Sequence, residues 1–145
     1  MSHHAILEEQ QAFGEKTLIV EPKHIVDLCR HLKAEEKFVR LSAVTAVDWH
    51  PATPRFEVIY HLHSIERNQR LRLKARLDDG QPAIDSVCEV WRGADWYERE
   101  VFDMFGIRFR NHPNLQRILM PIDWEGHPLR KDYPVHGYKY SYPSE

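Results

Sequence analysis

The chain contains few cysteines. Only Cys29 and Cys88 occur among its 145 residues, and they lie far apart in the sequence. Two thiols exclude a disulfide framework, and alone they cannot hold a four-cysteine zinc site or iron–sulfur cluster. Such low cysteine usage is typical of a reducing compartment, so we expect the protein to face the cytoplasm.

Long apolar runs and an excess of one charge are also missing. No stretch approaches the roughly 18 apolar residues that span a bilayer, and the mean hydropathy is −0.59. The 20 Lys and Arg residues nearly balance the 22 Asp and Glu residues, which does not favour general binding to nucleic acids or anionic membranes. The start, Met1-Ser2-His3-His4, lacks a basic flank followed by an apolar block, so no signal peptide is expected.

Four segments have the pattern of β-strands. Residues 55–64 and 70–77 alternate apolar and polar side chains, which is typical of adjacent antiparallel strands with one solvated face. Residues 17–20 form a short apolar run. Residues 38–49 are rich in Val, Leu and Thr, which favours a further strand.

Helical spacing begins after Pro22 and returns over residues 86–105. Ser86 and Glu89 fit a capping box at the start of the second helix, and Gly93 is a point at which that helix could divide. Gly106 suits the position after a helix end, where a positive φ is required.

The predicted order of elements is helix, strand, helix, three strands, helix and arm. This order is typical of an α+β fold, with an antiparallel or mixed sheet and helices packed on one face. Five prolines fall within the last 33 residues, and each removes a backbone donor, so we expect a long irregular Pro-rich C-terminal arm. We divide the chain, a single domain overall, into an α+β globular part at 1–106 and an extended docking arm at 107–145.

Two polar strand patterns carry candidate chemistry. His61 and His63 are spaced so that they could chelate a metal, but the expected cross-strand Arg and Lys residues would repel a cation, and we interpret them as part of a solvated face. A basic stripe on the next strand lacks the interleaved aromatic residues of single-strand nucleic-acid binders. An exposed face or an acidic protein partner explains it better. The stripe comprises Arg70, Arg72, Lys74 and Arg76.

A small acid–base enzyme is a distant alternative. Glu98, Asp103 and His112 could act as general acid and base if they converged in a pocket. Glu98 and Glu100, however, are two apart on a helix and do not face each other. The chain has no nucleophile elbow, phosphate loop, HExxH or dinucleotide fingerprint. We therefore predict no catalytic, cofactor-binding or metal-binding residue.

The arm carries large apolar side chains on an irregular backbone. Such groups either pack back on their own domain or dock on a partner, and the Trp and Arg residues favour a partner interface. Rigid prolines would lower the entropy lost on docking. The apolar groups are Leu115, Ile118, Leu119, Met120, Trp124 and Leu129.

Three blocks of sequence resemble one known family. They are WYEREVFDMFGI at residues 96–107, RILMP at 117–121 and GHPLRKDYP at 126–134, with His112-Pro113 between the first two. They resemble the 30-kilodalton subunit family of NADH:quinone oxidoreductase, respiratory complex I, whose bacterial members are its C-type subunits. The close match covers about residues 90–134, a third of the chain. Relatives in membrane-bound hydrogenases and the F420H2 dehydrogenase share the blocks, so the electron donor is not identified by them.

The resemblance implies a peripheral-arm subunit that binds no cofactor of its own. The complex would pass electrons from NADH through FMN and iron–sulfur clusters to quinone, coupled to proton translocation, and the isolated chain would be inactive. The implied partners are the large hydrogenase-like (D-type) subunit and neighbouring iron–sulfur subunits, at the cytoplasmic face of the cell membrane.

The resemblance also implies roles for individual residues. We expect ion pairs and hydrogen bonds that fix how the arm leaves the signature helix, made by Glu98, Arg99, Glu100, Asp103 and Gly106. Trp124→Ala or Arg130→Ala is expected to weaken assembly more than the fold. Partner docking is assigned to His112, Pro113, Trp124, His127, Pro128, Leu129, Arg130, Lys131 and Asp132.

Overall fold

A five-stranded mixed sheet forms the centre of the protein, whose computed structural model describes residues 3–78 and 80–133. The strand order is β1-β2-β5-β4-β3; β2 runs parallel to β5, and the other neighbours are antiparallel. The strands are β1 (Ile6–Ala12), β2 (Glu15–Val20), β3 (Arg40–Asp48), β4 (Phe56–Ser64) and β5 (Gln69–Leu77). Two short parallel strands, β6 (Ala83–Asp85) and β7 (Arg108–Arg110), form a separate pair.

Two α-helices pack against the sheet. A single 3₁₀ turn at Pro22–His24 leads into α1 (Ile25–Ala34), and α2 spans Ala94–Phe105. The predicted α+β class with a mixed sheet is confirmed. Within the two described ranges, no helix is long and apolar enough to cross a membrane.

The hydrophobic core lies between one face of the sheet and the helices. Its sheet face consists of the alternate residues that the sequence pattern predicts, and α1 contributes every third or fourth residue. Burial of each large side chain contributes about 1.5–3 kcal/mol relative to leaving it in water. The buried sheet and α1 residues are Phe56, Val58, Tyr60, Leu62, Leu71, Leu73, Ala75, Leu77, Ile25, Leu28, Cys29 and Leu32.

The N-terminal element is a strand, so the predicted first helix is wrong. β1 pairs with β2 through a two-residue turn at Phe13 and Gly14, whose φ angles are 54° and 77°. Positive φ at both positions is the geometry of a tight β-hairpin turn. β1 lies at the sheet edge and is largely exposed, and backbone pairing with β2 holds it in place. Because few of its side chains are buried, its sequence shows no alternation of apolar and polar residues.

The helix predicted over residues 86–105 begins later than the sequence pattern indicates. α2 starts at Ala94, directly after Gly93, and turns occupy the preceding residues. The predicted capping box is also wrong. Ser86 Oγ donates to Glu98 Oε1 at 2.6 Å, and Glu89 forms an ion pair with Arg30. The buried carboxylate of Glu98 thus takes the hydroxyl that a capping box would use.

The folded core continues past residue 106. Ile107 and Phe109 are buried, and β7 pairs with β6. From residue 111 the chain runs without regular secondary structure over α2. Residues 134–145, the remainder of the predicted arm, lie outside the described residues.

Candidate functional site

The C-terminal end of α2 is capped by the arm. The last four carbonyls of a helix have no partner within it, and here each one accepts a hydrogen bond from a later residue. The bonds run from Gly106 N to Phe102 O (2.8 Å), His127 Nδ1 to Asp103 O (2.9 Å), Leu129 N to Met104 O (2.9 Å) and Arg130 Nε to Phe105 O (2.6 Å). The segment around residues 127–130 is therefore a cap for α2.

Gly106 permits this close approach. Its φ is 78°, a left-handed conformation that favours glycine. A Cβ atom at this position would lie 2.7 Å from His127 Cδ2 and 2.8 Å from Arg130 Nη2. Both the backbone conformation and the space require glycine here.

His127 serves the cap as a neutral imidazole. Its Nδ1 must carry the proton, because the Asp103 carbonyl can only accept. Burial lowers the pKa of His127, which is consistent with the neutral form.

Asp103 holds a second part of the arm. Its carboxylate is fully buried, and Oδ2 accepts the backbone N–H groups of three successive residues. Oδ1 lies 3.1 Å from Nη1 of Arg117, whose Nη2 donates to the Gly126 carbonyl. Hydrogen bonds to a carboxylate are stronger than those between neutral groups. The three donors are Ile118 (3.2 Å), Leu119 (2.7 Å) and Met120 (2.9 Å).

Glu98 joins α2 to the segment before it and to the start of the arm. Its carboxylate is fully buried, with Oε1 bonded to Ser86 and Oε2 accepting the Val87 N–H at 2.9 Å. The Cys88 thiol donates to Oε1 at 3.3 Å, and His112 Nε2 lies 4.0 Å away. Burial raises the pKa of Glu98, and the hydrogen bonds from Ser86 and Val87 partly offset this rise.

Cys88, Glu98 and His112 bring three ligand-type atoms within 4.8 Å of one another. The hydrogen bonds oppose metal binding. His112 Nδ1 accepts the N–H of Asn114 at 2.9 Å, so a ring proton lies on Nε2, which faces Asp95 and Glu98. Burial also raises the pKa of Cys88 to about 12.

A buried ion pair fixes the far end of the arm to the sheet. Arg55 Nε and Nη2 donate to the two oxygens of Asp48 at 2.7 and 2.8 Å, and Nη2 also donates to Asp132 at 2.9 Å. The Lys131 N–H donates to Asp48 Oδ2 at 2.7 Å. The hydrogen bond from Arg55 lowers the pKa of Asp48, and it lowers the pKa of Asp132 as well.

Several apolar side chains on or beside the arm face solvent. Ile122 is 87% exposed, while Leu119, Leu129 and Trp96 are each more than half exposed. A groove of about 360 Å³ lies between β3 and α2, with Leu129 and Glu100 in its lining. Large exposed apolar side chains mark a protein interface where they form one contiguous patch.

The other predicted residues have mixed surroundings. Arg99 Nε donates to the Gln116 carbonyl at 3.2 Å, and its guanidinium lies 6.0 Å from the Trp96 ring. Trp124 is half-buried and donates to Tyr133 at 2.9 Å. Pro113 is exposed and Pro128 is half-buried.

Four of the predicted docking residues hydrogen-bond to α2, namely His112, His127, Leu129 and Arg130. Lys131 and Asp132 bond instead to Asp48 and Arg55. Sequence reasoning missed Asp48 and Arg55, which sit at two strand ends without a motif, and Ile122, an apolar residue after Pro121. The expected cross-strand arginines are present beside the two histidines of β4. Arg70 lies directly opposite His63, and Arg72 lies directly opposite His61.

The geometry argues against the acid–base alternative. Asp103 is paired with Arg117, and Glu98 and Asp103 are both 0% exposed. A substrate in solvent therefore reaches neither carboxylate.

Comparison with known proteins identifies the family. The family described as "Respiratory-chain NADH dehydrogenase, 30 Kd subunit" matches residues 18–139, which is most of the chain. The chain belongs to this family. Membership confirms the resemblance seen in the sequence and extends it over the first two thirds of the chain.

Curated relatives in the 30 Kd subunit family are C-type subunits of NADH-quinone oxidoreductase. The chain is 51% identical over 133 residues to the relative from Geotalea uraniireducens (strain Rf4), covering 92% of this chain and 81% of that protein. It is 49% identical over 130 residues to the second of the C-type subunits of Rhizobium etli (strain CIAT 652), covering 88% and 69%.

Two solved structures are similar. The trypsin-resistant fragment (1-134) of Nqo5 superposes with a TM-score of 0.67 at 27% identity, covering 72% of this chain and 86% of that one. A chain of the membrane-bound sulfane sulfur reductase, an archaeal respiratory membrane complex, gives 0.79 at 28% identity, covering 88% and 77%. The 30 Kd subunit thus belongs to a multisubunit assembly of the complex I type.

Proposed function

We propose that the chain is a cofactor-free structural subunit of the peripheral arm of an NADH:quinone oxidoreductase. Its C-terminal arm docks on the large hydrogenase-like (D-type) subunit, beside iron–sulfur subunits, at the cytoplasmic face of the membrane. Electrons pass from NADH through FMN and iron–sulfur clusters to quinone in the neighbouring subunits, coupled to proton translocation. The isolated chain has no activity.

One observation carries the proposal: exposed apolar side chains project from a backbone that buried polar groups hold in place. Asp103 binds the N–H groups of residues 118–120, so Leu119 is presented in a fixed position. A surface ordered before binding loses little conformational entropy when a partner covers it.

The thiols support the absence of a cluster in this chain. Cys29 is fully buried in the core, and Cys88 bonds to Glu98. Burial raises the pKa of both thiols, whereas iron–sulfur clusters are held by several thiolates.

A charge placed on the apolar surface tests the docking. Ile122→Asp and Leu119→Asp should each reduce incorporation of the chain into the complex by about tenfold or more, because a desolvated carboxylate would face an apolar partner. The melting temperature of the purified chain should stay within about 2 °C, since both side chains are already exposed. Native electrophoresis of membranes measures the incorporation.

The matched control is Leu7→Asp, which places the same charge at a 61% exposed residue of the edge strand β1. It should leave incorporation unchanged. Normal incorporation of both arm variants, or an equal loss with Leu7→Asp, would refute docking through this surface.

An equivalent subunit of a related membrane-bound hydrogenase or F420H2 dehydrogenase is the second candidate. The similarity to a chain of the sulfane sulfur reductase complex supports it. Purification of the native complex distinguishes the two candidates. Co-purifying NADH- and FMN-binding subunits favour the first, whereas a co-purifying hydrogenase or F420H2-oxidising subunit favours the second.

A further inference from the structure

The face of the sheet turned away from the helices is strongly basic. The outward residues of β5 are Arg70, Arg72, Lys74 and Arg76, at alternate positions. Part of this charge is balanced within the chain. Arg72 pairs with Glu15 at 3.0 Å, and Glu57 lies 3.3 Å from Arg76 and 3.9 Å from Lys74.

The charge is not balanced at one end of this face. Arg40 on β3, His63 on β4 and Arg70 on β5 stand in register across three strands. Among residues 3–78 and 80–133, no carboxylate lies within ion-pair distance of Arg40 or Arg70. Neighbouring strands are about 4.8 Å apart, so the like charges of Arg40 and Arg70 stand on either side of β4, with backbones about 10 Å apart. The arrangement favours an anion that would offset the repulsion.

The same residues line a shallow cavity of about 370 Å³. His61 lies opposite Arg72 in the next row and completes its wall. The cavity is open to solvent, and its lining also includes Glu15, the ion-pair partner of Arg72. We call this surface the basic face; it comprises Arg40, His61, His63, Arg70 and Arg72.

We propose that the basic face binds an acidic, extended segment of a protein partner, with carboxylates at alternate positions. Alternate residues of a strand are spaced by about 6.5–7 Å, so Arg70 and Arg72, at alternate positions of β5, match two carboxylates on every second residue of an extended peptide. A single phosphate would need donors that converge on one point. The basic face carries no Phe, Tyr or Trp, the large aromatic side chains on which successive bases of single-stranded nucleic acids stack. This surface is separate from the apolar arm surface, and the proposal stands apart from the docking proposed above.

Peptide binding to the purified full chain tests the proposal. The probe is a fluorescent peptide of four Glu-Ser repeats, followed by anisotropy at low salt, with a Gln-Ser peptide and inorganic phosphate as competitors. We expect the Glu-Ser peptide to bind, the Gln-Ser peptide not to compete, and affinity to fall as salt screens the charges. Arg40→Glu and Arg70→Glu should each weaken binding by about fivefold or more.

Arg92→Glu is the matched control, because Arg92 is exposed and lies before α2, away from the basic face. It should change the affinity by less than about twofold. An equal loss with Arg92→Glu would show non-specific attraction and overturn the proposal. If phosphate competes as strongly as unlabelled Glu-Ser peptide, the ligand of the basic face is a small oxyanion and the proposed acidic segment is wrong. No binding of the Glu-Ser peptide at low salt would also overturn it. Circular dichroism of each variant checks the fold.

Discussion

Gly106 combines a backbone requirement and a space requirement at a single residue. The left-handed conformation costs a residue with a Cβ about 1–2 kcal/mol, and the Cβ would meet the His127 ring at 2.7 Å. We expect Gly106→Ala to lower the free energy of unfolding by about 2–4 kcal/mol, since the helix cap must shift to make room. Urea denaturation of the purified chain measures the loss.

Substitutions at two other glycines separate the cost of the left-handed conformation from the cost of the close contact. Gly14 has a φ of 77° with nothing within 4 Å of its Cβ position, so Gly14→Ala isolates the conformational cost. Gly93 has a φ of −62° and open space, so Gly93→Ala should be close to neutral. Equal losses for Gly106→Ala and Gly14→Ala would show that contact with the arm contributes nothing.

The Asp48–Arg55 pair makes stability depend on pH. The hydrogen bond from Arg55 lowers the pKa of Asp48 in the folded state, so its contribution is present above the unfolded value near 4 and is lost as the pH falls through the folded value. At neutral pH, Asp48→Asn should cost about 3 kcal/mol, because it leaves a buried guanidinium without its main partner.

The measurement is the free energy of unfolding of both proteins between pH 7 and pH 3. The gap between them should be widest at neutral pH and should narrow below about pH 4. A gap that stays constant over this range would mean that charge on Asp48 does not stabilise the fold. Asp78→Asn, at an exposed position after β5, serves as the surface control.

At the level of elements, α2 depends on the arm for its last turn. Arg130 bonds the Phe105 carbonyl, and its guanidinium lies 5.2 Å from the Phe56 ring. Arg130→Ala should therefore lower the free energy of unfolding by about 1–3 kcal/mol and speed amide exchange in the last turn of α2. Hydrogen exchange with mass spectrometry follows the helix directly.

Lys131→Ala is the matched control, because this side chain is exposed while its backbone N–H makes the bond to Asp48. Its exchange pattern should resemble that of the unchanged chain. This prediction revises the expectation that Arg130→Ala would act mainly on assembly. Unchanged exchange in α2 would restore the original expectation.

Elements whose burial follows a period could be predicted from the sequence. The core face of β4 and β5 alternates because every second side chain meets the helices, and α1 repeats every three or four residues for the same reason. β1 could not be predicted in this way, since its polar residues lie exposed at the edge. The start of α2 could not be predicted, because Val87, Val90 and Trp91 lie in turns before the helix and are buried there. Their apolar spacing therefore resembles an earlier start of the helix.

The residues of the candidate site could also be predicted only in part. Asp103 and Gly106 could be singled out through the resemblance, and Gly106 also by its position after a helix. Their contacts could not be predicted, because they join residues 14 to 24 positions apart through irregular backbone. Asp48 and Arg55 come together with Asp132 only in the folded chain, and neither position has a distinguishing local pattern.

For the whole molecule, the apolar arm surface and the basic face are predicted to act independently. Ile122→Asp and Arg70→Glu alter separate surfaces, so their effects on the apparent affinity for the assembly should multiply within about twofold. Titration of the chain into a complex depleted of it measures each variant and the double variant. If the double variant binds the assembly with the same affinity as the single variant of lower affinity, the two residues contact one site.

The cap on α2 has a consequence for biosynthesis. The groups that close its last turn are encoded up to 25 residues downstream of the carbonyls they bind. During translation, the helix therefore keeps open carbonyls until the ribosome has released the segment through Arg130. A product that ends before residue 127 would lack the donors for the carbonyls of Asp103, Met104 and Phe105, so the last turn of α2 would open more readily than in the complete chain.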